Sequence, residues 1–402
     1  MTYPTVKLGD VAEFIRGITF KPEDVVPLDA DDAVVCMRTK NVQTLLDCDD
    51  LLAVPSEFVR RKDQYLQEGD ILVSSANSWN LVGKCCWVPA LPWRAAFGGF
   101  ISVLRGNHTR VDRRYLYWWF ASERVQALLR SFGQKTTNIS NLNIDRCLQL
   151  ELLLPALPEQ RRIAAILDKA DALRTKRREA LAQLDCLAQS IFVEMFGDQR
   201  LGVDSHLPRV MLSDLVEVNP RISPDERRLL ASTKVTFLPM AAVSDSEKRV
   251  INAELRDYED VAKGYTPFKR GDVLVAKITP CYENGKMALA LNLPTEYGFG
   301  STEFHVFRAP SEQLALFTFH LLGQAWVFEA GAKSMKGAAG QRRVPADFFS
   351  ELRVQRPEQS QLEKFAARVS KIEALKKSLR HGLLDTENLF SSLQHRAFRG
   401  EL

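Results

Sequence analysis

Val6-Lys7-Leu8-Gly9-Asp10-Val11-Ala12-Glu13 is repeated as Val210-Met211-Leu212-Ser213-Asp214-Leu215-Val216-Glu217, and that repetition decides the architecture. Working outward, Gly69-Asp70-Ile71-Leu72-Val73 returns as Gly271-Asp272-Val273-Leu274-Val275, and Gly83-Lys84 returns as Gly285-Lys286. Leu157-Pro158-Glu159-Gln160, opening one long helical pattern, returns as Arg356-Pro357-Glu358-Gln359 before another. Each pair is separated by roughly 200 residues, a steady shift that means tandem duplication of one globule-plus-helix unit. Two related faces suit a target with two parts.

The 402 residues are 46% hydrophobic and 26% charged, an ordinary globular composition, with room for two to four domains. A formal charge of +4 permits an anionic partner without demanding one. Met1-Thr2-Tyr3-Pro4-Thr5 has no signal-peptide pattern and no apolar run suits a bilayer, so a cytoplasmic chain with no membrane partner is expected. The seven cysteines (Cys36, Cys48, Cys85, Cys86, Cys147, Cys186, Cys281) contain no C-x-x-C pair, which argues against zinc and predicts buried free thiols.

Within each copy, about 150 residues mix short strand-like runs with Gly, Pro, Asn and Ser punctuation, which reads as an α+β globule. Aromatic-rich helices are expected from Arg113 to Phe132 and from about Leu314 to Ala330. Their density of apolar residues favours core packing over base stacking. Each globule is followed by a long helix with a heptad seam. In the first, Ile163, Ala170, Leu184 and Ile191 take one seam position, and Ile166, Leu173, Ala180 and Leu187 the other. In the second, Leu362, Val369, Leu383 and Phe390 alternate with Phe365, Ile372, Leu379 and Leu393. Arg177 and Lys376 interrupt the seams at matching positions, which a register-setting cation would explain. The compact solution pairs the helices as an antiparallel coiled coil. A helix of about 38 residues is about 57 Å long, against about 34 Å for one turn of duplex DNA.

No constellation of catalytic residues emerges. Neither a phosphate-cradling G-x-x-x-x-G-K-[ST] nor a G-x-G-x-x-G after a strand is present, and the six histidines form no H-x-E or H-E-x-x-H cluster. Thr279-Pro280-Cys281-Tyr282 lacks the amide and second proline of an amino-methyltransferase loop, and Glu283-Asn284-Gly285-Lys286 has the wrong spacing for a nuclease.

Loops that mix amides, hydroxyls, cations and aromatics offer nucleic-acid contacts, because cations hold phosphates while Asn, Gln, Arg and Lys read base edges. In the first copy the candidates are Arg38, Lys40, Asn41, Ser75, Asn77, Trp79, Asn80, Lys84, Lys135, Thr136 and Asn138. In the second they are Lys277, Thr279, Tyr282, Asn284, Lys286, Lys333, Lys336, Gln341, Arg342 and Arg343. Ordinary exposed loops have similar composition. What favours binding is that loops after the same strand are polar in both copies yet differ in sequence. Basic residues on the helices, such as Arg174, Lys176, Lys371 and Lys377, read more simply as solvated faces.

Leu157-Pro158-Glu159-Gln160-Arg161-Arg162-Ile163 leading to Ile166-Leu167-Asp168, Gly271-Asp272-Val273-Leu274, and the terminal Ala397-Phe398-Arg399-Gly400-Glu401-Leu402 resemble the specificity subunit of type I restriction-modification enzymes. The resemblance covers essentially the whole chain. It implies two pseudo-symmetric target-recognition domains (1–155 and 199–355) separated by spacer helices (156–198 and 356–402), each domain reading half of a bipartite asymmetric site in double-stranded DNA. It implies a non-catalytic chain with no cofactor of its own. Two methyltransferase subunits and the restriction subunits, with S-adenosylmethionine, ATP and magnesium bound on them, would be the partners. One departure is that Ser360-Gln361 stands where the first copy has Arg161-Arg162, leaving the equivalence of two docking surfaces open. Two other readings remain at this stage: a coiled-coil scaffold that binds proteins and no DNA, and a self-sufficient DNA enzyme.

Overall fold

The computed structural model describes residues 3–132, 134, 135, 140–200, 207–338 and 340–402. It divides into two compact units, one running to Arg178 and completed by His381–Leu402, the other formed by Glu179–Arg380. The divide falls inside both long helices, Leu157–Phe196 and Gln359–Ala397. Each unit therefore contains half of each helix.

The first unit is built on an antiparallel sheet in the order Ala12–Arg16, Ile101–Gly106, Ile71–Ser74, Cys85–Trp87. A second sheet places Ala33–Met37 between Ala53–Pro55 and Ala95–Phe97. Thr5–Lys7 pairs with Glu151–Leu153 just before the long helix. The second unit repeats the arrangement. Glu217–Val218, Phe304–Arg308, Val273–Ala276 and Met287–Leu289 form its antiparallel sheet. Arg209–Met211 pairs with Arg353–Gln355.

The duplicated Gly-Asp motif has one structural role in both units. Gly69 and Gly271 share a φ of +89°, a conformation that costs a residue with a side chain and that glycine adopts freely. In both, the following aspartate is buried and caps the backbone amide three residues before it, Gln67 N at 2.8 Å and Lys269 N at 2.7 Å. Both demands act on main chain and charge together, so the motif survives duplication while neighbouring positions drift.

The aromatic helices belong to the core, as expected. Tyr115, Trp118 and Trp119 are buried, and Trp118 donates from Nε1 to Asp168 on the first long helix at 2.8 Å. Each expected helix is in fact two, Arg113–Phe120 with Glu123–Ser131, and Glu312–Leu322 with Ala325–Ser334. The breaks fall where Ser122 turns its hydroxyl back to Trp119 O and at Gly323.

Each unit brings the start of one long helix against the end of the other, so the pairing is antiparallel. In the first unit Arg174 lies over the Phe390 ring at 3.6 Å, and Arg178 pairs with Glu387. In the second, Phe192 and Phe196 pack on Phe365, and Lys376 pairs with Asp185 at 2.6 Å. The second helix uses the seam its sequence predicts: Leu362, Phe365, Val369, Ile372 and Phe390 are buried, with Leu379, Leu383 and Leu393 half-buried. The first helix keeps Ile163, Leu184 and Ile191 but shifts its other seam row by one residue. Leu167 and Ala188 are buried, Ile166 is half-buried, and Leu173 and Leu187 are 42% and 47% exposed. Leucine alone placed that row one residue early, because Arg174 takes the inward position by stacking its guanidinium on an aromatic ring.

Gly197 closes the first helix with a φ of +68°. Among the described residues no helix is long and apolar enough to cross a membrane. All seven cysteines are free; Cys36, Cys86 and Cys147 are buried, while Cys186 is exposed on the helix surface, unlike the expectation.

Candidate nucleic-acid interface

In the first unit, three loops that are far apart in sequence meet. Ala76–Asn77 pairs with Ser140–Asn141, which pairs in turn with Gln134–Lys135. The turn after Phe97 joins the same frame, since Phe100 O accepts from Ser75 N at 3.0 Å and Ala76 N at 3.2 Å. The loop at 38–43 is tied in by Lys84, which donates from Nζ to Gln43 Oε1 at 2.5 Å.

The second unit builds the same frame at equivalent positions. Ile278 bridges Arg343, and Arg343 bridges Lys336, as Ala76, Asn141 and Gln134 do in the first unit. Lys277 N donates to Glu303 O at 2.8 Å, matching the bond from Ser75 to Phe100. Lys286 fixes the preceding loop through Val243 O at 2.9 Å, the counterpart of Lys84. The repeated Gly-Lys pair is thus a staple, each lysine ammonium bonding the preceding loop, Lys84 in an exposed bond and Lys286 in a half-buried one.

The side chains on these frames differ. Arg38 and Lys40 both pair with Asp50, which offsets their charge. Ser75 and Asn77 are half-buried, and Asn77 donates to Ser74 Oγ at 3.1 Å. Trp79 is 51% exposed, and Asn80 accepts from Ser78 Oγ at 2.7 Å. In the second unit Arg343 makes a two-pronged pair with Glu303 at 2.8 and 2.9 Å. Arg342 lies 3.7 Å from Glu283, whose carboxylate also accepts from Thr279 Oγ1. Lys277 is half-buried, and its burial pushes the ammonium below the usual lysine range, with Arg343 adding to this and Glu303 opposing it. Asn284, Lys333, Lys336 and Gln341 are exposed. The second frame is the more cationic of the two.

Two candidates are corrected. Asn41 is buried, and its amide closes its own loop by donating to Asp47 O and Asp50 O while accepting from Arg38 N. Tyr282 is fully buried, packs against Gly331 and donates to Val327 O at 2.9 Å. Neither can meet a ligand without unfolding its surroundings. Thr136 and Asn138 lie outside the described residues, and Lys135 is placed only by its backbone pairing. Sequence reading missed Phe100, Asn141 and Glu303, which reach the frame by strand pairing; only Gly98-Gly99 before Phe100 marked an unusual turn. Among the described residues no group of three or more His, Cys, Asp and Glu is placed to hold a metal ion.

Residues 2–183 match the family model described as type I restriction modification DNA specificity domain. The whole chain aligns with the type I restriction enzyme StySPI specificity subunit of Salmonella potsdam, at 22% identity over 428 aligned positions, 100% of this chain and 89% of that one. By these matches the chain is similar to type I restriction enzyme specificity subunits along its length. Part of the chain is also similar to the EcoAI specificity subunit of Escherichia coli, 34% identical over 168 residues. That match spans 41% of this chain and only 27% of the relative's length. The S subunit of a type I system from M. genitalium shares the fold, with a TM-score of 0.50 at 13% identity, covering 99% of this chain and 96% of that one.

Proposed function

We propose that the chain is the sequence-reading subunit of a type I restriction-modification complex, with each unit's frame contacting one half of a bipartite site in double-stranded DNA. One observation carries this reading: the same hydrogen-bonded frame recurs in both units while its exposed side chains differ. A shared scaffold with divergent tips suits two readers of unlike half-sites. The long helices, 40 and 39 residues, are about 60 Å of rigid rod and would set the separation. Their exposed faces would dock two methyltransferase subunits and, through these, the restriction subunits. Methyl transfer to an extruded adenine and ATP-driven cleavage would belong to those partners, with their S-adenosylmethionine, ATP and magnesium. The chain alone is expected to neither methylate nor cut.

The test is a domain exchange. Residues 1–155 are replaced by those of a relative, the hybrid is expressed with its methyltransferase, and adenine methylation is mapped across the genome. One half of the methylated motif should change and the other should stay. A change in both halves, or in neither, would refute independent reading. Duplex affinity should also fall steeply as salt rises through the physiological range, because phosphate contacts release counterions.

A further inference from the structure

We propose that Phe100 and Asn141 of the first unit together read one A·T base pair, Phe100 packing on the thymine 5-methyl group and Asn141 bonding the adenine edge. This deepens the reading above and rests on it.

Phe100 is 63% exposed in a unit whose other large aromatics are mostly buried. The turn that carries it is held on three sides. Ile101 N closes the turn onto Gly98 O at 2.9 Å, Gly98 N donates to Met37 O at 2.9 Å, and Phe100 O accepts from two amides of the neighbouring loop. A Cβ on Gly17 would meet Gly98 O at 2.3 Å, so the two backbones are in contact and the turn has little room to shift. A large apolar ring, left in water and rigidly mounted, is a preorganised contact surface. Asn141 is exposed on the adjoining strand, directly across from Ala76, whose amide holds Phe100.

The second unit shows that these two positions are neighbours in the frame. Strand register makes Glu303 the counterpart of Phe100 and Arg343 the counterpart of Asn141, and there the two side chains touch in a two-pronged pair. In the first unit the same two positions carry an aromatic ring and a neutral amide, which cannot satisfy one another. Neither has a polar side-chain partner among the described residues. Their combined chemistry fits an A·T pair in the major groove, where asparagine bonds adenine N6 and N7 and an apolar side chain covers the thymine methyl. Other occupants fit less well: a G·C pair offers no methyl group, and a phosphate offers Phe100 nothing.

The test uses the full chain with its methyltransferase partner and duplexes containing the motif found by methylation mapping. Each thymine in the half read by the first unit is replaced singly by deoxyuridine, which removes only the 5-methyl group. At one position the wild-type complex should bind about four-fold more weakly, the worth of burying one methyl group. Phe100→Ala should bind thymine and deoxyuridine equally at that position, and Asn141→Ala should stop distinguishing the paired adenine from purine. Both variants should melt as the wild type does, since both side chains are exposed. The proposal is overturned if no thymine is sensitive, or if Phe100→Ala keeps the full deoxyuridine penalty. Tight binding with insensitivity to methyl removal refutes this pair alone, whereas absence of duplex binding refutes the DNA-reading function as well.

Discussion

The carboxylate of Asp70 grips the guanidinium of Arg105 through two hydrogen bonds of 2.8 and 2.6 Å, with the aspartate 2% exposed. Arg105 fills its other donors with Asp63 O and Tyr65 O. Asp272 and Arg308 repeat the pair at 3.0 and 2.7 Å. Each pair ties the turn before one strand (Ile71–Ser74 or Val273–Ala276) to the neighbouring strand (Ile101–Gly106 or Phe304–Arg308), at the opposite end of the first strand from the loops that form the candidate interface.

Removing one partner of such a pair leaves a buried charge with nothing to neutralise it, which costs about 3 to 5 kcal/mol. Arg105→Met should therefore destabilise the first unit by that amount, and Arg308→Met the second. Urea unfolding followed by hydrogen exchange of each unit checks this. If the loss were confined to a few tenths of a kcal/mol, the pairs would be incidental to the fold.

The helix seam makes a sharper comparison. Leu167 is fully buried and Leu173 is 42% exposed, although both are leucines on the same helix. Leu167→Ala should cost about 2 to 5 kcal/mol through a lost side chain and the cavity behind it. Leu173→Ala should cost well under about 1 kcal/mol, as surface changes do. Thermal melts of the two variants distinguish the observed register from one in which Leu173 faces inward.

These contrasts show what was legible in the sequence. The duplication could be read because Gly69 and Asp70 answer to backbone conformation and buried charge, which tolerate little change. The second helix could be read because nearly every inward position is apolar. The first could not, since Arg174 faces inward by stacking on Phe390, and a hydrophobic pattern has no way to register that. The candidate interface was legible as loops but not as a frame. Phe100 and Asn141 lie 41 residues apart in sequence and meet only through pairing with the segment at 75–77. Buried Asn41 and Tyr282 were misplaced for the complementary reason: loop-like composition does not reveal which polar groups the loop consumes in holding itself together.

On the second frame, Lys336 is exposed with no ion-pair partner among the described residues, while Arg343 is held by Glu303. Lys336→Ala should weaken duplex binding about equally for all sequences and lower the salt slope by about one, as loss of a phosphate contact does. Tyr282→Phe, which removes only a buried hydroxyl, should leave the salt slope unchanged. Fluorescence anisotropy across a salt series with the methyltransferase-bound chain measures both.

His320 links the second unit to pH. It is 8% exposed, bonds Gln189 on the first long helix through Nδ1 at 2.9 Å, and stacks among Phe192 and Phe365. Burial, with the charges of Lys376 and Lys248 nearby, lowers its pKa to about 3. The unfolded chain takes up a proton near pH 6.5, whereas the folded unit refuses it until far lower pH. Between those values the unfolded state binds more protons, so stability falls as pH falls. Lowering the pH from 6.5 to 5 should cost about 2 kcal/mol from this residue alone. His305, also held below its usual value by burial, adds a contribution in the same direction. His320→Gln keeps a hydrogen-bonding side chain without a titrating proton, and should flatten the dependence by the His320 share. Urea midpoints of the second unit at pH 7 and pH 5 decide the matter: an unchanged difference between wild type and variant would mean that His320 is protonated in the folded state after all.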